Sequence, residues 1–300
     1  MYNQPELRRE VTDRIIAGIK NNFIPWRQPW SNSTNHYGRL TNCVTLKPYR
    51  GINALLLGLK SLELNCKSKW WGTEKQWNRL KGQVNPETVG TEILSCSAPM
   101  RRIVKGKKLL YFLYRKLIVY NLDQIDGKSV DYLREEKTTD HHPDYAAADK
   151  FIKLVGADVR YEGDEAKYIL PEPYADWPKH NAGDYILMPR PIQFKDVNAY
   201  YETMFHEFAH WSERRVGWKR EPNKEHYTYE MGELVAEMTS CFISSDLGLP
   251  HAQKLLNFNM YIDHWLQAMQ NDYNFIFKAS AQASKVTDFI LNFQPVERFK

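Results

Sequence analysis

Three hundred residues, 43% hydrophobic and 26% charged, have the composition of a soluble globular chain with room for one large domain or two ordinary ones. No apolar run approaches the ~20 residues of a membrane span, and the opening MYNQPELRREVTDRIIAGIK has no h-region or cleavage site. A cytoplasmic protein with no membrane partner is therefore expected. The formal charge of +5 is unevenly spread: through Gly127 there are 21 Lys and Arg against 9 Asp and Glu, and beyond it 20 against 27. A basic half followed by an acidic one points to two domains with different partners, the first facing a polyanion.

In the basic half, Val11, Ile15, Ile16 and Ile19 fall on one stripe and predict a helix over VTDRIIAGIKNNF, with Thr12 or Asp13 as its cap. Pro25 and Pro29 stop it. YRGINALLLGLKSL predicts a second helix and TEKQWNRLKGQV a third, ending at Gly82. TEILSC and KKLLYFLYRKLIVYNL are rich in β-branched and aromatic residues and predict strands. Residues 1–127 thus read as a small α+β domain. Cations are interleaved with aromatics in PWRQPW, in KSKWW, in KQW and ahead of the strand at RRIVKGKK. Proteins that hold single strands without reading sequence combine cationic grooves with rings on which bases stack. Single-stranded DNA is the expected partner, with Trp70, Trp71, Lys75, Lys107 and Lys108 among the candidate contacts. Core packing is the competing use for each tryptophan.

The polar, charged stretch 128–147 reads as a linker, and 148–300 as the second domain. AADKFIKLVGA is helix-patterned, DVRYE and YILMPRP are strand-patterned, and FKDVNAYYETMFHEFAHWSERR is a long helix capped by Asp196. YEMGELVAEMTSCFISSDLGL predicts another helix ending at Gly248, and the rest of the chain continues helical. Cys43, Cys66, Cys96 and Cys241 are scattered without a CxxC pair, which excludes a zinc ribbon and predicts reduced, inert thiols.

The chemistry concentrates in MFHEFAHW. Positions i and i+4 of a helix share a face, so His206 and His210 can present imidazoles to one ion, with Glu207 flanking it. A catalytic zinc site takes three protein ligands and leaves a position open, and an adjacent carboxylate serves as general base toward water. Glu233 and Glu237, a turn apart on the next helix, offer the third ligand. The extended YILMPRP before the histidine helix is placed as the edge strand of a peptidase cleft. A paired two-metal nuclease site is disfavoured by this arrangement. For an oxyanion donor, His226, Tyr227, Tyr229 and Arg214 are near in sequence without any being singled out.

The order strand, HExxH helix, ExxxE helix resembles the gluzincin metallopeptidases. That resemblance implies His206, His210 and Glu233 as metal ligands, Glu207 as the catalytic base and Glu237 as the carboxylate that steadies a ligand histidine, with the roles of Glu233 and Glu237 exchanged as the alternative. Zn2+ is the implied cofactor, Mn2+ an alternative. Across nearly the whole chain, VTDRII, PWRQPW, YRGIN, QWNRLKGQV, YNLDQIDG, YYETMFHEFAHW and GELVAE are similar, in order, to the ArdC-like antirestriction proteins and their TraC-like relatives. The resemblance implies an α+β chain of two domains, single-stranded-DNA-binding and then zincin-like (gluzincin-type) metallopeptidase. The implied role is to shield incoming plasmid or phage DNA from host restriction; restriction-enzyme subunits or another protein substrate are the candidate protein partners. Trp26, Arg27, Trp30, Tyr49, Arg50, Asn53 and Gln76 fall in the shared N-terminal motifs and become DNA-side candidates. Where relatives carry a GxKGT-like turn, this chain has VNPETVGTEI, so no phosphate contact is assigned there. A catalytically idle zincin scaffold that only coats DNA or blocks restriction is the rival expectation.

Overall fold

Helix α1 (Gln4–Lys20) begins earlier than VTDRII because Leu7 extends the buried stripe of Val11, Ile15 and Ile19 by another turn. Thr12 is therefore mid-helix and not a cap; its hydroxyl is buried and donates to the Tyr273 carbonyl at 2.8 Å. The computed structural model describes residues 4–27, 38–96, 100–104, 107–111, 113–134, 143–170, 183–218, 225–252 and 258–293. For 100–104, 107–111, 225–228 and 258–260 the description is of the backbone.

After α1 come β1 (Thr41–Asn42) and α2 (Ile52–Glu63). Gly58 lets α2 press against the preceding turn, since a Cβ there would stand 1.8 Å from the Pro25 carbonyl oxygen. The same turn delivers Trp26 into the core, edge-on to Trp265 with ring centroids 6.2 Å apart. Next are β2 (Trp70–Gly72), α3 (Glu74–Arg79), β3 (Gln83–Val84) and β4 (Thr91–Cys96). Thr73 and Gln76 cap α3 reciprocally, side chain to backbone. The run predicted as strand from Lys107 divides in two. β6 (Lys107–Tyr111) folds back on β5 (Met100–Val104), and β7 (Tyr114–Asn121) joins the main sheet. That sheet is ordered β1-β2-β7-β4, parallel between β1 and β2 and antiparallel elsewhere, while β8 (Ile125–Asp126) pairs with β3.

Part of the expected linker packs on this half. Lys128–Leu133 forms a 3-10 turn whose Val130 and Leu133 join Trp77, Leu122 and Ile125 in a small apolar cluster. Helix α4 (Tyr145–Val155) is capped by Asp144 and closed by the left-handed Gly156. β9 (Val159–Tyr161), β10 (Lys167–Ile169) and β11 (Tyr185–Met188) form a sheet ordered β10-β11-β9. The strand ahead of the histidine helix, β11, is thus the middle strand and not the expected edge, because β9 pairs with it in parallel and β10 antiparallel. Helices α5 (Val197–Glu213), α6 (Glu225–Asp246), α7 (Phe258–Asn271) and α8 (Phe275–Leu291) complete the chain. Among the described residues no helix is long and apolar enough to cross a membrane.

The two halves share one core. A continuous apolar cluster runs from Leu7, Ile15, Trp26 and Leu55 through Phe205, Phe208 and Leu234 to Phe275 and Ile290. Ion pairs cross the same seam: Arg39 reaches Asp246 at 2.9 Å and Asp288 at 3.1 Å. The four cysteines are free thiols, and burial pushes Cys43 and Cys66 up to about 12, which leaves them unreactive at neutral pH.

Candidate metal centre

Asp196 starts α5 by accepting the Asn198 amide, and Tyr200, Tyr201, Met204, Phe205, Phe208 and Trp211 bury its apolar stripe. That packing leaves the His206–His210 face turned toward α6. The two Nε2 atoms stand 3.1 Å apart, and the Glu233 carboxylate lies 3.4 Å from His206 Nε2 and 3.5 Å from His210 Nε2. Donor atoms tetrahedrally placed about 2.05 Å from one zinc ion would be separated by about 3.3 Å. The two distances run to different oxygens of Glu233, and one ligand atom from each of the three residues lies within 4.8 Å of the others, so the group could hold a single divalent cation.

Glu213 is what holds the second histidine. His210 Nδ1 lies 2.8 Å from the Glu213 carboxylate, one turn further along α5, so Nδ1 carries a proton and Nε2 is the nitrogen left to face an ion, which would displace the proton there. Burial alone would lower the His210 pKa. The bond and charge of Glu213, with the charges of Glu233 and Glu207, overcome it and raise it to about 9. Glu207 is buried close to this pair. The sequence reading assigned the histidine-steadying role to Glu237; the i, i+3 spacing in HWSE was the signal for Glu213.

Glu237 lies deeper. Burial, and then the neighbouring charge of Glu202, push its carboxyl up to about 7, against the opposing pull of His206 and Arg27. It belongs to a buried polar cluster behind the histidines. Glu202 accepts from Arg27 at 3.3 Å and sits 2.7 Å from His251 Nδ1, while Arg27 also donates to the Ala252 carbonyl at 2.8 Å. Among the other residues near in sequence, Tyr229 joins hydroxyls with Tyr261 at 2.9 Å. Burial, the bond to Tyr229 and the charge of Glu233 push Tyr261 up, so its phenol stays protonated. Tyr261, far along the chain, was not among the sequence candidates. The side chains of His226 and Tyr227 lie outside the described residues.

The basic half uses its motif residues differently from the sequence expectation. Trp26 is 1% exposed, Trp71 0% and Trp70 8%, so no base can stack on the first two and Trp70 offers little face. Arg27 is turned inward to Glu202, and Arg50 pairs with Asp288 at 2.8 Å. Asn53 acts as a stand-in strand for the open edge of β4, donating to the Leu94 carbonyl at 2.7 Å and accepting its amide at 2.8 Å. Tyr49, Lys75 and Gln76, in contrast, line one open cavity. Trp30 lies outside the described residues, as do the side chains of Lys107 and Lys108, whose backbone runs in β6.

Comparison with known proteins follows the same division. The family profile of the N-terminal domain of anti-restriction factor ArdC matches residues 5–138, and that of a zincin-like metallopeptidase matches residues 146–282. The crystal structure of metal-free antirestriction ArdC from plasmid R388 superposes with a TM-score of 0.73 at 30% identity, covering 96% of this chain and 99% of that one. The chain belongs to the ArdC-like antirestriction family. The Mn(II)-bound form of the R388 ArdC matches with a TM-score of 0.70 at the same 30% identity, covering 96% and 97%. Among curated proteins, the uncharacterized protein y4eC of Sinorhizobium fredii is 26% identical over 95% of this chain and 91% of its own length. DNA primase TraC of Escherichia coli is 26% identical over 95% of this chain, which spans only 20% of that primase.

Proposed function

We propose that this ArdC-like protein binds single-stranded DNA with little sequence preference through its basic half and hydrolyses peptide bonds with its acidic half. Together the two activities would protect incoming plasmid or phage DNA from host restriction. The observation that carries the peptidase reading is the convergence of ligand atoms of His206, His210 and Glu233 within 4.8 Å of one another, with Glu207 beside them. In this reading those three residues hold Zn2+, or the Mn2+ that the R388 relative contains. The ion, when bound, supplies Lewis acidity to a peptide carbonyl and to water. Glu207 accepts the proton from water and returns it to the leaving amine. Glu213 keeps His210 in the tautomer that presents Nε2, and the hydrogen-bonded Tyr229–Tyr261 pair offers a hydroxyl donor to developing negative charge.

The test uses two variants of the full chain loaded with metal. Glu207→Gln should keep stoichiometric zinc by elemental analysis and lose cleavage of any substrate by at least about a hundredfold. His210→Ala should lose the ion. Zinc still bound one-to-one in a His206 and His210 double variant would end the assignment. For the basic half, DNA affinity should fall steeply with salt as cationic side chains release counterions, and a flat response would count against it.

One observation favours a second reading, a catalytically idle scaffold. Arg27, from the basic half, ends on Glu202 one turn ahead of His206, so the metal helix also serves as an anchor between halves. Glu207→Gln that leaves protection intact in a plasmid-transfer assay would select this reading.

A further inference from the structure

The cavity in the basic half is a second site with its own chemistry. It encloses about 500 Å3, within the range of about 300–1,000 Å3 typical of pockets that take small molecules. Its floor is apolar. Ile93 of β4 faces Leu117 of β7 across the ladder, and Val119 follows Leu117 on the same face. Ile93 and Val119 are buried, but Leu117 is 39% exposed, so the core here opens to solvent and leaves an apolar ledge uncovered.

One wall is the ring of Tyr49. Its hydroxyl accepts from Asn42 Nδ2 at 3.0 Å and donates to the Trp71 carbonyl at 3.4 Å, which pins the ring in place. The polar wall is closed on itself. Asn42 and Gln76 exchange amide bonds at 3.1 and 3.2 Å, Asn42 Oδ1 also accepts the Val44 and Thr45 amides, and Gln76 Oε1 accepts that of Thr73. Such a wall has little unspent capacity to distinguish one base edge from another. At the rim, Lys75 and Arg79 stand a turn apart on α3, both exposed and with no acidic partner among the described residues.

We infer that this cavity seats one unstacked base of a single DNA strand between Tyr49 and the Leu117 ledge, with Lys75 and Arg79 on the flanking phosphates. The inference rests on the single-strand reading above and moves the stacking surface from the tryptophans to this cavity. A pinned ring and an apolar floor reward any base face, and the saturated amides account for a lack of sequence preference. The unpaired cations match a polyanion and give the cavity its occupant.

The test is fluorescence anisotropy with the full chain, an oligothymidylate and an abasic deoxyribose-phosphate strand of equal length. The wild type should prefer the oligothymidylate by about fivefold or more, the lower end of what stacking contributes per base. Leu117→Glu, on an exposed position, should abolish that preference. Arg79→Ala should instead weaken both strands and reduce the slope of log affinity against log salt by about 0.7, the share of one single-strand phosphate contact. Circular dichroism checks that both variants fold, and Leu117→Ala, with a smaller loss of preference, backs up the glutamate. Equal affinity of the wild type for both strands, or variants that behave as wild type, would overturn the cavity and leave single-strand binding standing. Displacement of the oligothymidylate by polyglutamate as readily as by unlabelled DNA would also overturn it. Failure of the wild type to bind either strand at low salt would remove the single-strand reading itself.

Discussion

The metal centre and the basic cavity solve opposite problems. At the candidate metal centre the donors are withdrawn from solvent and fixed by a neighbour, as Glu213 fixes His210, so the group offers a few oriented ligand atoms to a single cation. At the cavity the polar atoms satisfy each other, the floor is bare and the cations hang free, so the site suits a class of ligand rather than an individual. On the proposed reading, selectivity in the first comes from oriented lone pairs, and tolerance in the second from the absence of uncommitted ones. Between them lies a seam where basic-half arginines are spent on the acidic half.

The sharpest break of that contrast is at the seam. Arg27→Ala leaves Glu202 buried with His251 as its remaining close partner, and a stability loss of about 3 kcal/mol is expected in urea unfolding of the metal-free protein. If Arg27 were a DNA contact instead, the variant would unfold as wild type and lose affinity for DNA. Next in size is Glu213→Gln, which should weaken zinc binding by about 10–100-fold in competition with a chelator while leaving DNA affinity unchanged. An unaltered zinc affinity would mean that His210 needs no steadying. The smallest effect belongs to Arg50→Ala. Its pair with Asp288 is largely exposed, so loss of stability should stay below about 1 kcal/mol.

Much of the acidic half is legible in the letters because helical periodicity places residues on faces without knowledge of the rest of the fold. His206, His210 and the two-carboxylate helix follow from i, i+4 spacing alone. Glu213 is open to the same logic through its i, i+3 spacing from His210, whereas Glu237, one turn beyond Glu233, meets Glu202 and Cys241 as well as the charge of His206. The basic half is harder to read. A tryptophan beside an arginine looks alike whether the ring stacks on a base or fills a core, and only the packing of α2 on the Pro25 turn decides that Trp26 does the latter. The cavity closes between α3 and a pair of strands distant in sequence, so Leu117 and Arg79 carry no local mark of being neighbours. Strand order is equally invisible to periodicity, and for that reason β11 emerges in the middle of its sheet.

The apolar cluster that joins α1 and α2 to the C-terminal helices has a practical consequence. A cut made between the two matched families would strip Leu7, Ile15, Trp26 and Leu55 of their cover on one fragment and Trp265, Phe275 and Ile290 on the other. Each fragment would then present a greasy scar and stick to its own copies. What looks in the alphabet like a pair of detachable modules is joined through one apolar cluster, and the two halves must be inherited together.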